Sequence, residues 1–265
     1  RDSSVTGVQT CALPISSLRK EQPLIAQRLR QAVKKGAQLN LVHVADDDLL
    51  CHVANKLVAK PSGLADALAQ VAKAIGEAGG DVAAVAAALS GVTVSESARN
   101  MAASLMARER KAILLGAVAQ QHGAAAELHT LAQAIAAATA ATLGFLADAA
   151  NGVGAGVVGC RPGQGGLDAA GQFAQPRKAY VILGAEPELE AWDSAQARHA
   201  LAAAELVIVL SPFKSGLMDY AHVALPTAAF AEVAGSYVSM EGRLQSFRAV
   251  VPPQGDARPA WKVLR

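Results

Sequence analysis

Between Pro23 and Val44 the apolar positions change their period. Leu24, Ile25, Leu29 and Val33 recur at helical spacing, with Arg28, Arg30, Lys34 and Lys35 on the other side, which predicts an amphipathic helix. Gly36 follows the last basic turn as a stop signal. Leu39, Leu41 and Val42 to Val44 then read as a short buried strand. Helix, glycine and strand form one half of an α/β unit. The next stretch, ADDDLLCHVANKLVAKPSG, has no regular period, and Asp46–Asp48 is placed to open a helix where carboxylates complement the dipole. Ser62 stands where a cap is expected for a helix from Leu64 to Glu77, which Gly79-Gly80 breaks. Ala-rich helices are predicted over Val82–Leu89 and over Ser97–Arg108, the second with Met101, Leu105 and Met106 on one face.

The same alternation continues. KAILLGAVA predicts a strand ending at Gly116, and helical sequence runs from Ala124 to Leu146. Tyr180 to Leu183 predicts a strand closed by Gly184. Asp193-Ser194 opens a helix to Ala204, and ELVIVLSPF and HVALP predict two further strands. Short apolar runs separated by helices and closed by Gly or Pro indicate parallel strands buried on both faces. The fold class is therefore α/β, a doubly wound, mostly parallel sheet with Ala-rich helices. Past Pro226 the texture changes: in SYVSMEGRLQSFRAVV, Tyr237, Val238, Leu244 and Phe247 suggest a β-hairpin excursion.

The N-terminal string VTGVQTCALPI matches none of this. Asp2 follows Arg1 at once, and Thr6, Gln9 and Thr10 interrupt any apolar core, so it is no secretory signal; it lacks the arginines of a transit peptide. It resembles the in-frame translation of a sequencing adapter, and residues 1–16 are expected to be a disordered scar. Residues 17–226 then read as the α/β domain, truncated at its start, and 227–265 as the β excursion and the start of a following segment. PAWKVLR at the end reads as the first turn of an interrupted helix.

Composition narrows the classes. The 24 basic residues nearly balance the 22 acidic ones, so nothing pulls the chain toward nucleic acid or an anionic membrane. LAQAIAAATAATLGFLA, interrupted by Gln133, Thr139 and Thr142, falls short of the ~20 strongly apolar residues of a span, and reads as a buried or interface helix. Outside the scar only Cys51 and Cys160 occur. They make no disulfide framework and cannot by themselves hold an iron–sulfur cluster. Cys51-His52 is no metal pair, because neighbouring side chains on a regular element point apart.

Candidate chemistry is sparse. GAGVVG, Gly154 to Gly159, matches the dinucleotide fingerprint letter for letter, but that motif needs a strand before it and a helix after it. Here Ala-rich helical sequence precedes it and CRPGQGG follows, so a Gly-rich crossover loop is expected; a free-standing nucleotide-binding module would rest on this string alone. His43, His52, His122, His129, His199 and His222 show no metal-ligand spacing. SPFKSG lacks the nucleophile-elbow pattern. Lys214 and Ser215 lie just past a strand's C-terminal end, where α/β ligands bind.

The most specific stretch is HVALPTAAFAEVAGSYVSMEGRLQ. A strand ends in Leu225-Pro226; Glu232, Gly235 and the step Glu241-Gly242-Arg243 follow. Gly235 is expected at a turn needing positive φ, Gly242 where the chain reverses, and the three charged residues where they can pair across the excursion. This skeleton resembles the molybdopterin oxidoreductase superfamily. With LRKEQPLIAQRLRQAVKKGAQL, ILLGAVAQQH, LADAANGVGAGVVGCRP and PPQGDARPAWKVLR, the chain is similar to the family of the large iron–sulfur (G) subunit of bacterial NADH-quinone oxidoreductase, respiratory complex I. The resemblance implies a peripheral subunit on the cytoplasmic face of the inner membrane, docked to other peripheral-arm subunits, in a complex that passes electrons from NADH to quinone and translocates ions. It implies 4Fe-4S and 2Fe-2S clusters held upstream of this segment. Within the segment it implies no catalytic residue, no metal and no cofactor, and a structural role for Leu225, Pro226, Glu232, Gly235, Glu241, Gly242 and Arg243. The alternative is a molybdopterin-dependent oxidoreductase of the formate-dehydrogenase type, whose strand ends at Gly116, Gly184 and Ser211 would line a pterin pocket and whose Arg243 would meet a cofactor phosphate.

Overall fold

The computed structural model describes residues 10–12, 18–147, 149–214, 216 and 219–265. The chain divides into two compact units, one up to Ala150 and one from Asn151. The boundary therefore falls earlier than the one expected at Pro226, because each unit closes its own sheet.

The first unit is built on strands β1 (Thr10–Ala12), β2 (Gln38–His43), β3 (Asn55–Val58), β4 (Lys111–Leu115) and β5 (Thr142–Phe145). All pair in parallel in the order β3-β2-β1-β4-β5. Strand order reverses between β1 and β4, the hallmark of a doubly wound sheet. Helices cover both faces. On one, α1 (Leu18–Glu21) and α2 (Pro23–Lys34) place Leu18, Ala26 and Leu29 against Leu39, Leu41, Leu49 and Leu146. On the other, α3 (Leu64–Glu77), α4 (Glu96–Met106) and α6 (Ala125–Thr139) pack Leu68, Ile75, Met101, Leu105, Leu128 and Ile135 with Val42, Ile113 and Leu115. Helix α5 (Ala117–Gln120) is a single turn after β4. Successive residues of β2 thus enter different cores, which is why the strand reads as a continuous apolar run. Of its two buried polar residues, Asn40 and His43, Asn40 donates to Ser104 of α4 (3.1 Å) and accepts from Asn55 of β3 (2.7 Å).

Several local expectations are corrected here. Thr10–Ala12, placed above in a disordered scar, forms the central strand; ladder hydrogen bonds are backbone bonds, so its pairing with β2 and β4 needs no apolar run that the sequence would show. Asp46–Asp48 opens no helix. Asp48 instead accepts from the Leu50 amide (2.8 Å) in a turn where Leu50 has φ +55°, and the chain returns as edge strand β3. Ser62 lies in a 3-10 turn, and Gly63 occupies the N-cap of α3 without a side-chain cap. Between Gly80 and Gly91 only Ala83–Val85 forms a 3-10 turn, since so short a run does not offset helix nucleation. Helix α6 stops at Thr139 with Ala140 at φ +55°, and Thr142–Phe145 pairs with β4. In α4, Ser95 is the N-cap, accepting from the Ala98 amide, and Met106 turns outward from buried Met101 and Leu105.

The second unit opens with α7 (Gly152–Val157) and α8 (Ala169–Ala174). Its parallel sheet has the order β6 (Ala179–Leu183), β7 (Leu206–Ser211), β8 (Val223–Pro226). Between β6 and β7 lie α9 (Pro187–Glu190) and α10 (Ser194–Ala202), which Asp193 caps by accepting from the Gln196 amide (2.8 Å). Tyr180, Ile182, Ala200, Leu201, Val207 and Val209 form its core. These strands are not buried on both faces as expected: β6 alternates buried and exposed, and β8 is exposed throughout. The order proceeds in one direction, and right-handed crossovers then put connections on one face. Beyond β8, the predicted hairpin forms as antiparallel β9 (Gly235–Val238) and β10 (Leu244–Phe247), followed by the short helix α11 (Ala260–Val263).

Candidate functional site

Strand ends come first, because ligands of open α/β sheets bind there. At the end of β4, Gly116 leads into the four-residue α5. Gln120 at its far end donates to the carbonyls of Leu115 (2.9 Å) and Leu146 (2.7 Å), and the Leu146 amide also reaches Leu115 (2.9 Å). One carboxamide therefore latches the ends of β4 and β5 together. At the end of β2, the buried His43 ring accepts from the Val44 amide at Nδ1 (2.7 Å), which leaves its proton on Nε2, 3.8 Å from the Asp47 carboxylate.

Three other histidines serve locally as well. His122 accepts from the Ala124 amide through Nδ1 and so donates through Nε2 to Pro61 (3.0 Å). His222 accepts from the Val207 amide (3.0 Å), and His129 packs edge-on to Phe145. Among the described residues no three His, Cys, Asp or Glu side chains gather in a metal-binding group. Burial pushes the Cys51 thiol up, against the pull of Arg30 and with help from Asp48, which disfavours the thiolate. Cys160 is exposed.

In the second unit, a cavity of about 230 Å³ sits at the ends of β7 and β8, lined by Ser211, Phe213, Lys214, Leu225 and Pro226. Lys214 is thus at a strand-end cavity as expected, while Ser215 lies outside the described residues. Ser211 is occupied: its Oγ accepts from the Phe213 amide (3.0 Å). Leu225-Pro226 of the family skeleton ends the sheet, and Pro226 hands over to Thr227, whose amide reaches Ser211 (3.2 Å).

The rest of the skeleton builds the hairpin. Glu232 folds back to accept from the Ala229 amide (3.0 Å) and closes a 3-10 turn, so its charge is used locally rather than across the excursion. Gly242, at φ +77°, makes the reversal between β9 and β10, where Ser239 accepts from the amides of Glu241 and Arg243 (3.3 Å each). Gly235 differs from expectation. Its φ is not positive; it is small because a Cβ there would stand 2.8 Å from the Phe247 ring opposite. Gly235→Val is accordingly expected to cost more than about 1 kcal/mol by overpacking. Phe247→Ala in the same chain should remove most of that cost in urea melts, and an equal cost in both backgrounds would place the strain elsewhere.

The glycine motif has an unexpected role. Gly152–Val157 is helical, not the loop expected, and the strand before it, β5, ends at Phe145 rather than running directly into the motif. A Cβ on Gly154 would collide with Asn151 Oδ1. That carboxamide accepts from the Val238 amide (2.9 Å) and donates to the Ser236 carbonyl (3.3 Å). Gly154 makes room for a side chain that pins β9. Asn151 was missed in the sequence; its signal was only its place just before a glycine-rich turn.

Tyr220, buried behind β7, donates to Glu188 (2.7 Å). Burial first, then that bond and the charges of Glu188, Glu186 and Asp219, push its phenol well above the ordinary range. An unfolded tyrosine ionises near pH ~10, so the neutral form's contribution is whole below that pH and is lost as pH rises beyond it. Tyr220→Phe is expected to flatten the fall of stability above pH ~10 in urea melts; parallel curves would assign that fall to other groups.

The model of the family described as molybdopterin oxidoreductase matches residues 11–265. The chain belongs to that family. Among curated relatives, it is 37% identical over 87 residues to the NADPH-Fe(3+) oxidoreductase subunit alpha of Geobacter sulfurreducens, covering 33% of this chain and 10% of that one. It is 44% identical over 89 residues to the G subunit of NADH-quinone oxidoreductase from Pseudomonas putida, again 33% and 10%. The aligned stretch is thus about a tenth of those relatives' length. Among solved structures, acetylene hydratase from Pelobacter acetylenicus superposes with TM-score 0.73 at 13% identity, covering 99% of this chain and 47% of that one, which supports the α/β fold of the family. No helix among the described residues is long and apolar enough to cross a membrane.

Proposed function

We propose that this molybdopterin oxidoreductase segment serves as scaffold in the G subunit of an NADH-quinone oxidoreductase. The observation that carries the reading is the 44% identity to the Pseudomonas putida protein. The strand ends favour a scaffold over a cofactor cradle. A pterin dinucleotide needs helix N-terminal amides facing its phosphates. The helix directly after β4 is one turn long, and its carboxamide is committed to the sheet. The fingerprint glycines begin inside a helical turn, with Asn151 folded over the first of them. Both features support the scaffold reading.

In this reading the electron path of the parent protein runs through iron–sulfur clusters held by other residues, and this segment supplies packing surface to neighbouring subunits on the cytoplasmic side of the membrane. The test is molybdenum, tungsten and pterin analysis of the full-length protein purified in its complex. Neither metal nor pterin is expected. Stoichiometric molybdenum with pterin would overturn the scaffold reading in favour of a formate-dehydrogenase-like enzyme.

A further inference from the structure

At the N-terminal end of the first sheet, opposite the strand ends just described, α4 and the starts of β2 and β3 enclose a cleft of about 500 Å³. Ala54, Ala103 and Ala107 contribute methyl groups to its lining. Its polar lining is fixed from beneath by a chain of side-chain hydrogen bonds: Asn55 donates to Asn40, Asn40 to Ser104 (3.1 Å), and Ser104 to Gln38 (2.8 Å). Asn40 is fully buried and Ser104 nearly so. This chain uses the Gln38 oxygen and one Asn55 N–H, so the Gln38 amide nitrogen and the Asn55 oxygen remain for a ligand.

Asn100, in the second turn of α4, and Arg108, two residues past its last turn, complete the lining. Arg108 takes part in none of the four ion pairs among the described residues. The cleft therefore offers one guanidinium and carboxamides from both the strand side and the helix side, with alanine methyl groups between them.

We propose that this cleft docks an extended, carboxylate-bearing peptide segment of a partner protein, with Arg108 taking the carboxylate and Gln38, Asn55 and Asn100 bonding the peptide units. The inference goes beyond the scaffold reading and does not depend on it. A small anion is a poor match, because small-molecule sites enclose most of their ligand within predominantly apolar walls, whereas Gln38, Asn55, Asn100, Ser104 and Arg108 make most of this lining polar. An extended chain suits it: each peptide unit brings one donor and one acceptor, which carboxamides match in either orientation. Asn55 is the first residue of β3, the edge strand of the sheet, and an edge strand is the element that extended segments dock beside. A guanidinium pairs with a carboxylate through two parallel bonds.

The test uses the full chain and a fluorescein-labelled decapeptide of alternating Ala and Glu, read by anisotropy, with the Ala-Gln decapeptide as comparison. Saturable binding of the first and not the second is expected. Arg108→Gln should weaken it by about tenfold or more, as losing a charge-assisted pair implies, and Ala103→Gln should block it by projecting a longer side chain into the cleft. Arg110→Gln, which removes a nearby cation outside the cleft, should leave binding unchanged. Should Arg108→Gln not fold, the Ala103→Gln result decides alone. No saturation, equal weakening in Arg110→Gln, or displacement by succinate at the same concentration as by peptide would each overturn the proposal. Thermal melts of the variants separate lost binding from lost structure.

Discussion

Leu68→Ala is expected to lower the unfolding free energy by about 4–5 kcal/mol, near the top of the range for a buried leucine. Leu68 lies mid-way along α3 with no exposed surface. The cost of such a truncation has two parts, the lost transfer energy of the removed carbons and the cavity left behind. The second part depends on whether neighbours can lean in. The core that holds Leu68 is rich in alanine, including Ala67, Ala72, Ala98, Ala102 and Ala132, all 1% exposed or less. A methyl group has no χ angle to turn and no reach to extend, so the void stays open. Urea unfolding of both chains at one temperature reads the difference, provided the slope with denaturant is unchanged. A loss under about 2 kcal/mol would show that the helices themselves close the gap.

Asn151→Ala is expected to cost about 2 kcal/mol, the sum of two ordinary hydrogen bonds, and to loosen the hairpin more than the sheet. Its carboxamide reaches both the amide of Val238 and the carbonyl of Ser236, across 87 and 85 positions of sequence. Gly154→Ala should produce a similar loss, because the new methyl would occupy the place of Asn151 Oδ1. The two changes therefore should not add. In the Asn151→Ala background the space is vacant, and Gly154→Ala should be neutral or slightly stabilising, since alanine is the better helix residue by about 1 kcal/mol. Amide hydrogen exchange at Ser236 and Val238 gives the local readout. Additive losses would mean that Gly154 and Asn151 act through different neighbours.

Much of the fold was legible because it is written in short-range period. The switch from helical spacing to an apolar run gave α2 and β2, and the same signal gave α3, α4, β4, β6, α10 and β7. Asp193 and Gly242 were readable because capping and reversal are local chemistry. Edge strand β3 was not readable. Asn55-Lys56-Leu57-Val58 has a strand's pattern only once β2 lies beside it, and its first residue is polar because it joins the Asn40 network. Strand β5 was hidden in the apolar run of α6, where only the reversed backbone at Ala140 marks the break. At the candidate site, the hairpin skeleton was identified but the reason for Gly235 was not. A glycine kept small by the ring of Phe247 on the facing strand looks in sequence like a glycine kept for its φ.

From its sequence alone this chain is a parallel α/β protein with Ala-rich helices and a β-hairpin, since side-chain period and local capping depend on neighbours a few residues apart. Only the tertiary structure decided that it folds as two units, that a carboxamide latch ties the ends of β4 and β5, that Asn151 holds the hairpin, and that a polar cleft lies at the other end of the sheet. Each of those depends on which distant residues share a space, and no local pattern encodes that.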